Sequence, residues 1–200
     1  IRTPLNGILG FTELLRRGAD GGDEAERRDY LQTIHNSGQH LLSLINDILD
    51  LSKIEAGHME VEKVNCAPHQ IIAEVMSVLR VRANEKGLDL SYQWEGAMPQ
   101  SIYTDPARVR QIVINLVGKA IKFTEHGAVH VAARLDQSTA ETQLVVDVTD
   151  TGIGIPEDKQ DAVFEAFRQA DNSVTRRFGG TGLGLSISQR LALLLDGSLS

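Results

Sequence analysis

The sequence of 200 residues contains a single cysteine, Cys66, and few aromatic residues. One cysteine excludes an internal disulfide and any metal site built from several cysteines. Because aromatic residues make up only 4% of the chain, the core must rely on Leu, Ile and Val. The balance of 42% hydrophobic and 24% charged residues is typical of a globular protein and excludes a disordered one.

Long apolar runs and an excess of positive charge are also missing. No apolar segment approaches the roughly 18 residues that a membrane-spanning helix needs, and no signal peptide is recognisable. The formal net charge of −7 argues against a nucleic-acid partner. The lone cysteine suits a reducing compartment, so we expect a cytoplasmic location, although a parent protein could still be anchored in a membrane outside this fragment.

The first 57 residues predict a helical hairpin. Apolar residues recur at helical spacing on both sides of a glycine-rich interruption at 18–22. In the second helix Ile34, Leu41 and Ile48 lie seven residues apart, with Gly38, Ile45 and Ser52 at the alternate positions of a coiled-coil face. A two-helix hairpin covers such a face poorly, so we expect a second copy to complete a four-helix bundle. Packing against the rest of this chain is the alternative.

Residues 58–200 predict a domain of mixed helices and strands. Their order lacks βαβ regularity, which favours an α+β sandwich. Asp105 and Pro106 indicate a helix start, with Asp105 as the N-cap and Pro106 in the first turn. The predicted strands are 59–64, 88–94, 127–135 and 142–149; the predicted helices are 68–86, 106–123, 156–168 and 183–195, with a polar, glycine-rich loop at 171–182.

Four stretches have compositions suited to chemistry, and the first is Asp150 to Pro156. It follows an apolar strand and contains Gly152 and Gly154. Glycines at such a point let a ligand approach the backbone, and an aspartate can accept a hydrogen bond from an exocyclic amine such as that of adenine. Taken alone, the stretch is equally compatible with a tight turn.

The second stretch, Gly179 to Leu185, opens the last predicted helix. Glycines before a helix N-terminus expose backbone N–H groups to a phosphate. The stretch is not a Rossmann motif, which needs a preceding strand in a βαβ unit, and it is not a P-loop, which needs a following Lys-Ser/Thr. A phosphate site and a plain flexible loop are the two interpretations.

The third stretch, Asn115 to Phe123, lies on the helix that begins at Asp105. Asn115, Lys119 and Lys122 are spaced i, i+4 and i+7, so they share one face. An amide and two ammonium groups suit an anionic ligand. A solvated polar face is the alternative, and the apolar neighbours on the same helix weaken it.

The fourth stretch, Arg2 to Asn6, indicates by itself only a proline early in a helix. Taken in order, the stretches resemble the sequence boxes of sensor histidine kinases, particularly of the hybrid type, and the resemblance covers nearly the whole chain. Residues 1–5 resemble the end of the phosphoacceptor box, 115–123 the N box, 150–156 the first glycine box, 164–167 the F box and 180–185 the second glycine box.

This resemblance implies a dimerising, histidine-phosphotransfer hairpin at 1–57, truncated at its N-terminus. It also implies an ATP-binding catalytic domain at 58–200, truncated at its C-terminus, with the two-layer α/β sandwich shared by gyrase, Hsp90 and histidine kinases. The implied activity is phosphorylation of a histidine from ATP, followed by transfer to an aspartate of a response-regulator receiver domain. The implied cofactors are ATP and Mg²⁺.

The same resemblance implies roles for single residues. Asp150 would accept the adenine amine, while Gly152 and Gly154 would admit the base. Phe123 would help to wall the base, and Lys122 would contact the phosphates.

Other roles implied by the resemblance concern the metal and the phosphates. Asn115 would lie near the phosphates and is the candidate metal ligand. Arg176 and Arg177 are candidates for contacts with the γ-phosphate. The implied lid over the phosphates is shaped by Gly180, Gly182 and Gly184, and Thr181 and Leu183 beside them are further candidates for cofactor binding.

Two departures from the family pattern bear on activity, and the first is the phosphoacceptor. The family's histidine would fall two residues before Ile1, and none of the six histidines in the chain inherits its role by motif. We therefore expect that these 200 residues do not autophosphorylate in the family's manner.

The second departure is Lys119, which stands where the N box normally has its Mg²⁺-binding asparagine. A charged lysine offers no lone pair to a metal, and two unit charges roughly 4 Å apart repel by about 4 kcal/mol at an effective dielectric near 20. Lys119 either pairs with phosphate in place of the metal, marks an inactive relative, or is an altered residue. We expect weakened Mg²⁺-dependent ATP turnover.

Three functions remain open from the sequence. The leading one is an ATP-dependent protein-histidine kinase core. The second is a catalytically impaired pseudokinase that acts as a dimerising, nucleotide-sensing module, which Lys119 favours. The third is an ATPase of the gyrase or Hsp90 type; it is disfavoured because such enzymes have a glutamate where this chain has Asn115, and because of the helical hairpin.

Overall fold

The computed structural model of the chain describes residues 2–17, 23–137, 142–166 and 182–200. Contacts divide the chain into two compact units, 1–58 and 59–200. The first unit contains α1 (Arg2–Arg16) and α2 (Glu24–Glu55). The second contains β1 (Val64–Cys66), α3 (Pro68–Glu85), β2 (Asp89–Trp94), β3 (Ile102–Thr104), α4 (Pro106–Phe123), β4 (Ala128–Asp136), β5 (Gln143–Asp150) and α5 (Gly184–Leu194).

The first unit is the predicted helical hairpin. The rings of Phe11 and Tyr30 lie 5.3 Å apart between their centroids, and Gly7 lies against the hydroxyl of Ser37. Contacts thus move toward the start of α2 as α1 proceeds, so the two helices are antiparallel. Gly57 follows α2 with a φ of +68°, the left-handed conformation expected at a helix end.

The predicted coiled-coil face of α2 divides into two parts. Ile34, Leu41 and Ile48 are half-buried. Ile45 and Ser52, which the sequence pattern places on the same face, are exposed. The helix α1 has 15 residues and α2 has 32, so this one neighbouring helix covers only part of the face.

The second unit is a three-stranded sheet covered by helices on one face. The strand order is β2-β4-β5; β2 is parallel to β4, and β4 is antiparallel to β5. On the central strand, Val129, Val131 and Ala133 are fully buried. They pack with α3 and α4 in a core of mainly Ile, Leu, Val, Ala and Met side chains, as the scarcity of aromatic residues predicts.

Asp105 starts α4 as the sequence predicts. Its Oδ1 accepts hydrogen bonds from the backbone N–H groups of Ala107 at 2.9 Å and Arg108 at 3.1 Å. Its Oδ2 accepts the N–H of Glu62 at 3.1 Å. Because Asp105 is only 5% exposed, these bonds fix the start of α4 against the segment before β1.

A lysine at the end of α3 caps the other end of α4. The Lys86 ammonium donates to the carbonyl oxygens of Ile121 and Lys122, each at 2.8 Å, and of Thr124 at 3.2 Å. The last carbonyls of a helix lack partners within the helix, and a cation there also complements the helix dipole. The C-terminal end of α4 is therefore held by a residue from another helix.

One predicted strand is wrong and another was missed. The alternation over 59–64 forms a strand only from Val64 onward, because the N–H of Glu62 bonds the Asp105 carboxylate instead of a neighbouring strand. The strand β1 pairs antiparallel with β3, which was not predicted because three residues are too few to show a period.

The predicted helix at 156–168 is also wrong within the described residues. Two short 3₁₀ turns stand there, at Glu157–Lys159 and Ala162–Phe164. In the described segment 142–166, neither turn begins with a capping side chain, and the backbone is extended again at Glu165. The last predicted helix is confirmed as α5, whereas the predicted loop at 171–182 lies outside the described residues except for its final glycine.

Candidate functional site

Most of the predicted site residues that the structure describes gather along α4. Asn115 lies beside the start of α5, and Phe123 lies beside the turn that follows β5. These two residues are eight positions apart, which is about 12 Å along a helix axis. Lys119 and Lys122 lie on the face between them, so the candidate site is elongated, with basic side chains along its length.

At the first end of the site, Asp150 closes β5 on the helix-covered side of the sheet. It pairs with Val129, whose side chain is fully buried on that side. Its Oδ1 accepts the N–H of Gly152 at 2.8 Å, which forms a local aspartate turn. An ionised carboxylate has a second oxygen and so keeps the capacity to accept a hydrogen bond from a ligand amine.

The turn after Asp150 is seated directly on the end of α4. A Cβ atom at Gly152 would stand 2.6 Å from the carbonyl oxygen of Phe123 and 2.6 Å from Oδ1 of Asp150. Gly152 is thus required by a contact within the protein, and the approach of a ligand to its backbone stays a prediction. Gly154 differs: its φ is +67°, and among the described residues no atom lies within 4 Å of a Cβ built there.

At the second end of the site, Asn115 joins α4 to α5. Its Nδ2 donates to the carbonyl oxygen of Gly184 and, at 2.6 Å, to the hydroxyl of Ser188. A Cβ at Gly184 would overlap the Asn115 amide, so only glycine permits this approach. Ser188 was not among the predicted site residues; its position one helical turn after Gly184 was the available signal.

The start of α5 offers backbone donors beside this contact. Leu183, at the N-cap position, is buried and has no polar side-chain atom to cap the helix. Gly182, with a φ of +71°, turns the chain into the helix. The N–H groups of the first turn and the positive end of the helix dipole therefore suit an anionic group.

Part of the predicted lid lies outside the described residues. The structure does not describe the segment 167–181, which contains Arg176, Arg177, Gly180 and Thr181. The contact of Gly184 with Asn115 is the described link between the second glycine box and α4.

The basic face of α4 has an unusual electrostatic environment. The pKa of the half-buried Lys122 lies below its ordinary value, chiefly because burial disfavours the charged form and then because Lys119 and Lys86 add positive charge nearby. The Lys122 ammonium also lies 5.4 Å from the centroid of the Phe123 ring, within the range of a cation–π contact.

We predict that the lowered pKa of Lys122 makes the free energy of unfolding depend on pH in the alkaline range. Because the folded protein binds the Lys122 proton less tightly than the unfolded chain, the free energy of unfolding should rise as pH increases from the lowered pKa toward 10.5, the ordinary lysine value. Urea unfolding across this range should show the rise, and Lys122→Met should reduce it. The exposed control Lys53→Met should retain it; equal profiles for Lys122→Met and the unmodified chain would contradict the assignment.

The donor chemistry along α4 does not fit a magnesium ion. Mg²⁺ prefers oxygen ligands in an octahedron, commonly including one or two carboxylates. The helix α4 carries four basic residues and no acidic one. Within the part of the chain that the structure describes, no cluster of three or more His, Cys, Asp or Glu residues could hold a metal. The expectation that Asn115 is a metal ligand stays a prediction that these contacts do not support.

Two family models match this chain. The model described as the His Kinase A (phospho-acceptor) domain matches residues 1–57. The model described as the Histidine kinase-, DNA gyrase B-, and HSP90-like ATPase matches residues 104–200. The chain belongs to the sensor histidine kinases. The family resemblance and the fold class that the sequence predicts are thereby confirmed. The second unit of this histidine kinase chain has the fold shared by histidine kinases, DNA gyrase B and HSP90-like ATPases.

Similar proteins give the same result for this histidine kinase chain. Signal transduction histidine-protein kinase BarA of Escherichia coli (strain K12) is 43% identical over 201 residues, covering 100% of this chain and 22% of BarA. Sensor protein GacS of Pseudomonas syringae pv. syringae is 45% identical over 201 residues, with the same shares. The chain therefore spans about a fifth of the length of these curated relatives.

A solved structure of full-length ShkA in complex with AMPPNP is similar to this histidine kinase chain across both units. The TM-score is 0.73 and the sequence identity is 35%, over 98% of this chain and 39% of ShkA. Among the described residues of this chain, none of the helices combines the length and the hydropathy needed to cross a bilayer.

Proposed function

We propose that this chain is the dimerisation and ATP-binding core of a protein-histidine kinase in two-component signalling. The observation that carries the proposal is the convergence on α4 of an acceptor for an amine, a basic face and a helix N-terminus. The acceptor is Asp150, the basic face includes Lys122, and the helix N-terminus begins at Gly184. All three residues belong to the second unit. An elongated ligand with a base at one end and phosphates at the other matches this order of groups.

In the proposed complex, the Asp150 carboxylate accepts the exocyclic amine of adenine. The Phe123 ring lies beside the same turn and walls the base. The ammonium groups of Lys119 and Lys122 neutralise the phosphates, and the N–H groups at the start of α5 donate to the phosphate tail. The site therefore holds ATP by one specific hydrogen bond at the base and by distributed positive charge at the triphosphate.

The proposed reaction transfers the γ-phosphoryl group of ATP to an imidazole nitrogen. A phosphorus–nitrogen bond forms, the bond between the γ-phosphorus and the bridging oxygen breaks, and ADP leaves. Such a displacement needs little covalent help from the protein, so positioning and charge neutralisation account for most of the catalysis. The phosphoryl group then passes to an aspartate of a response-regulator receiver domain, which is part of the same proposal.

The hairpin at 1–57 is proposed to form the homodimer. On α2, Leu42, Ile45 and Leu49 form an exposed apolar stripe at helical spacing, and Leu5 and Leu9 form another on α1. Exposed apolar stripes on neighbouring helices mark an interaction surface, and a second hairpin would bury them in a four-helix bundle. The catalytic role is assigned to 58–200, and the location is proposed to be cytoplasmic.

A phosphotransfer assay tests the proposed function. The chain is incubated with γ-labelled ATP and a separate His Kinase A domain that has a histidine before its Arg-Thr-Pro segment. We expect label on that domain that is lost in acid and stable in alkali, as a phosphohistidine is, and no label with Asp150→Ala. Nucleotide binding without any transfer would favour the pseudokinase alternative, and steady ATP hydrolysis without labelling would favour the gyrase-like ATPase.

A further inference from the structure

Three ammonium groups converge on the last two turns of α4. Lys119 and Lys122 are three positions apart on the helix and so lie side by side on its surface. Lys86 reaches the same end from α3 and is fixed there by its bonds to the carbonyls of Ile121 and Thr124, among others. The position of the Lys86 ammonium is therefore fixed by the packing of α3 against α4.

The charges at this end of the helix favour an anion over a cation. Burial is the first cause that lowers the pKa of Lys122, and the two charges that lower it further belong to Lys119 and Lys86 and are both positive. No acidic residue lies on α4 itself. A divalent cation placed beside this face would increase the repulsion among the ammonium groups, whereas a polyphosphate would decrease it.

The amide that would have to bind a metal is already engaged. The Asn115 Nδ2 donates to the carbonyl oxygen of Gly184 and to the hydroxyl of Ser188, and its Oδ1 occupies the space that a Cβ of Gly184 would need. Turning this amide toward a cation would break two hydrogen bonds that fasten α5 to α4. Ammonium groups impose no octahedral geometry, so Lys119 and Lys122 can follow the phosphates along the helix.

We propose that this site binds ATP without a divalent cation, with Lys119 and Lys122 together supplying the counter-charge that a metal ion would otherwise provide. The inference rests on the proposed nucleotide site and deepens it, because it names the form of the ligand that the site takes. Lys119 is the residue that determines this preference. Two ammonium groups carry the same formal charge as one Mg²⁺ ion.

Titration calorimetry of the full chain with ATP tests the inference. Binding is measured once in EDTA and once in MgCl₂ at the same ionic strength, because screening alone changes charge-dependent affinity. We expect the unmodified chain to bind ATP in EDTA at least as tightly as in MgCl₂. Lys119→Gln should weaken binding in EDTA about tenfold, the loss expected of one charge-assisted hydrogen bond, and Lys119→Arg should retain it.

Two further variants sharpen this experiment. Lys119→Asn should lose affinity in EDTA and recover part of it when MgCl₂ is added. Arg80→Gln removes one positive charge from the exposed side of α3 and should leave both affinities unchanged. Circular dichroism and thermal melting establish that each variant is folded. If the neutral variants are less stable, Lys119→Arg still tests the inference, because it changes the side chain and keeps the positive charge.

The outcomes separate the inference from the proposed function. Binding that MgCl₂ tightens tenfold or more in the unmodified chain would overturn the inference and leave the nucleotide site in place. Unchanged affinity of Lys119→Gln in EDTA would also overturn it. Absence of ATP binding in both buffers would refute the proposed nucleotide site itself, and the inference with it.

Discussion

Asp150→Asn is expected to weaken ATP binding by about tenfold to a hundredfold, because a hydrogen bond to a charged acceptor contributes about 1.5–3 kcal/mol. The asparagine keeps an oxygen for the N–H of Gly152, so the turn itself should persist. It replaces the second carboxylate oxygen with an N–H₂ group, which cannot accept the adenine amine. Inosine triphosphate, which has a carbonyl in place of that amine, should bind the variant better than it binds the unmodified chain.

A matched control for this experiment lies on the same strand. Asp147 is exposed on the opposite face of β5, where it pairs with the Arg134 guanidinium. Asp147→Asn removes the same charge and should leave the ATP affinity unchanged. Calorimetric titrations of both variants with both nucleotides make the comparison. Equal losses for the two variants, or unchanged ATP affinity of Asp150→Asn, would contradict the assignment of Asp150 to the base.

Gly152→Ala is expected to have the largest effect on stability. The added methyl group would stand 2.6 Å from the Phe123 carbonyl oxygen, which is backbone and cannot swing aside. Relief requires the turn to move away from α4, at a cost of about 1–3 kcal/mol, typical of overpacking. The displacement would also separate Asp150 from the basic face, so ATP affinity should fall together with stability. Urea unfolding and calorimetry of the same preparation measure both.

Gly118→Ala is the control for Gly152→Ala. Among the described residues no atom lies within 4 Å of a Cβ built at Gly118, and the residue is in the interior of α4. Alanine there should stabilise the helix by about 0.5–1 kcal/mol. If both alanine variants changed the unfolding free energy in the same direction, the close contact at Gly152 would not be the cause.

Local signals predicted the elements that position the site. Asp105 and Pro106 predicted the start of α4, because a cap and a first-turn proline act within one helical turn. The i, i+4, i+7 spacing predicted the shared face of Asn115, Lys119 and Lys122 for the same reason. Caps and helical spacings depend on residues that are close together in the chain, so they can be predicted from a single sequence.

Contacts between distant parts of the chain were not predictable in this way. Lys86 caps α4 from a position 35 residues before Ile121, and nothing in its neighbourhood marks it for that role. From its sequence context Gly152 was expected to make room for a ligand; the contact with the distant Phe123 carbonyl oxygen, 2.6 Å from where a Cβ would stand, was not expected. The pairing of β1 with β3 was missed because both strands are short and they lie far apart in the sequence.

The most direct test of the nucleotide site is a nuclear magnetic resonance titration of the isotopically labelled chain with ATP. We expect saturable shifts of the backbone amides of Gly152, Lys119 and Gly184 and of the side-chain amide of Asn115. Amides of the exposed side of α3, such as those of Val78 and Val81, should stay in place. Saturable shifts confined to residues away from α4, or no shifts at millimolar ATP, would contradict the site described above.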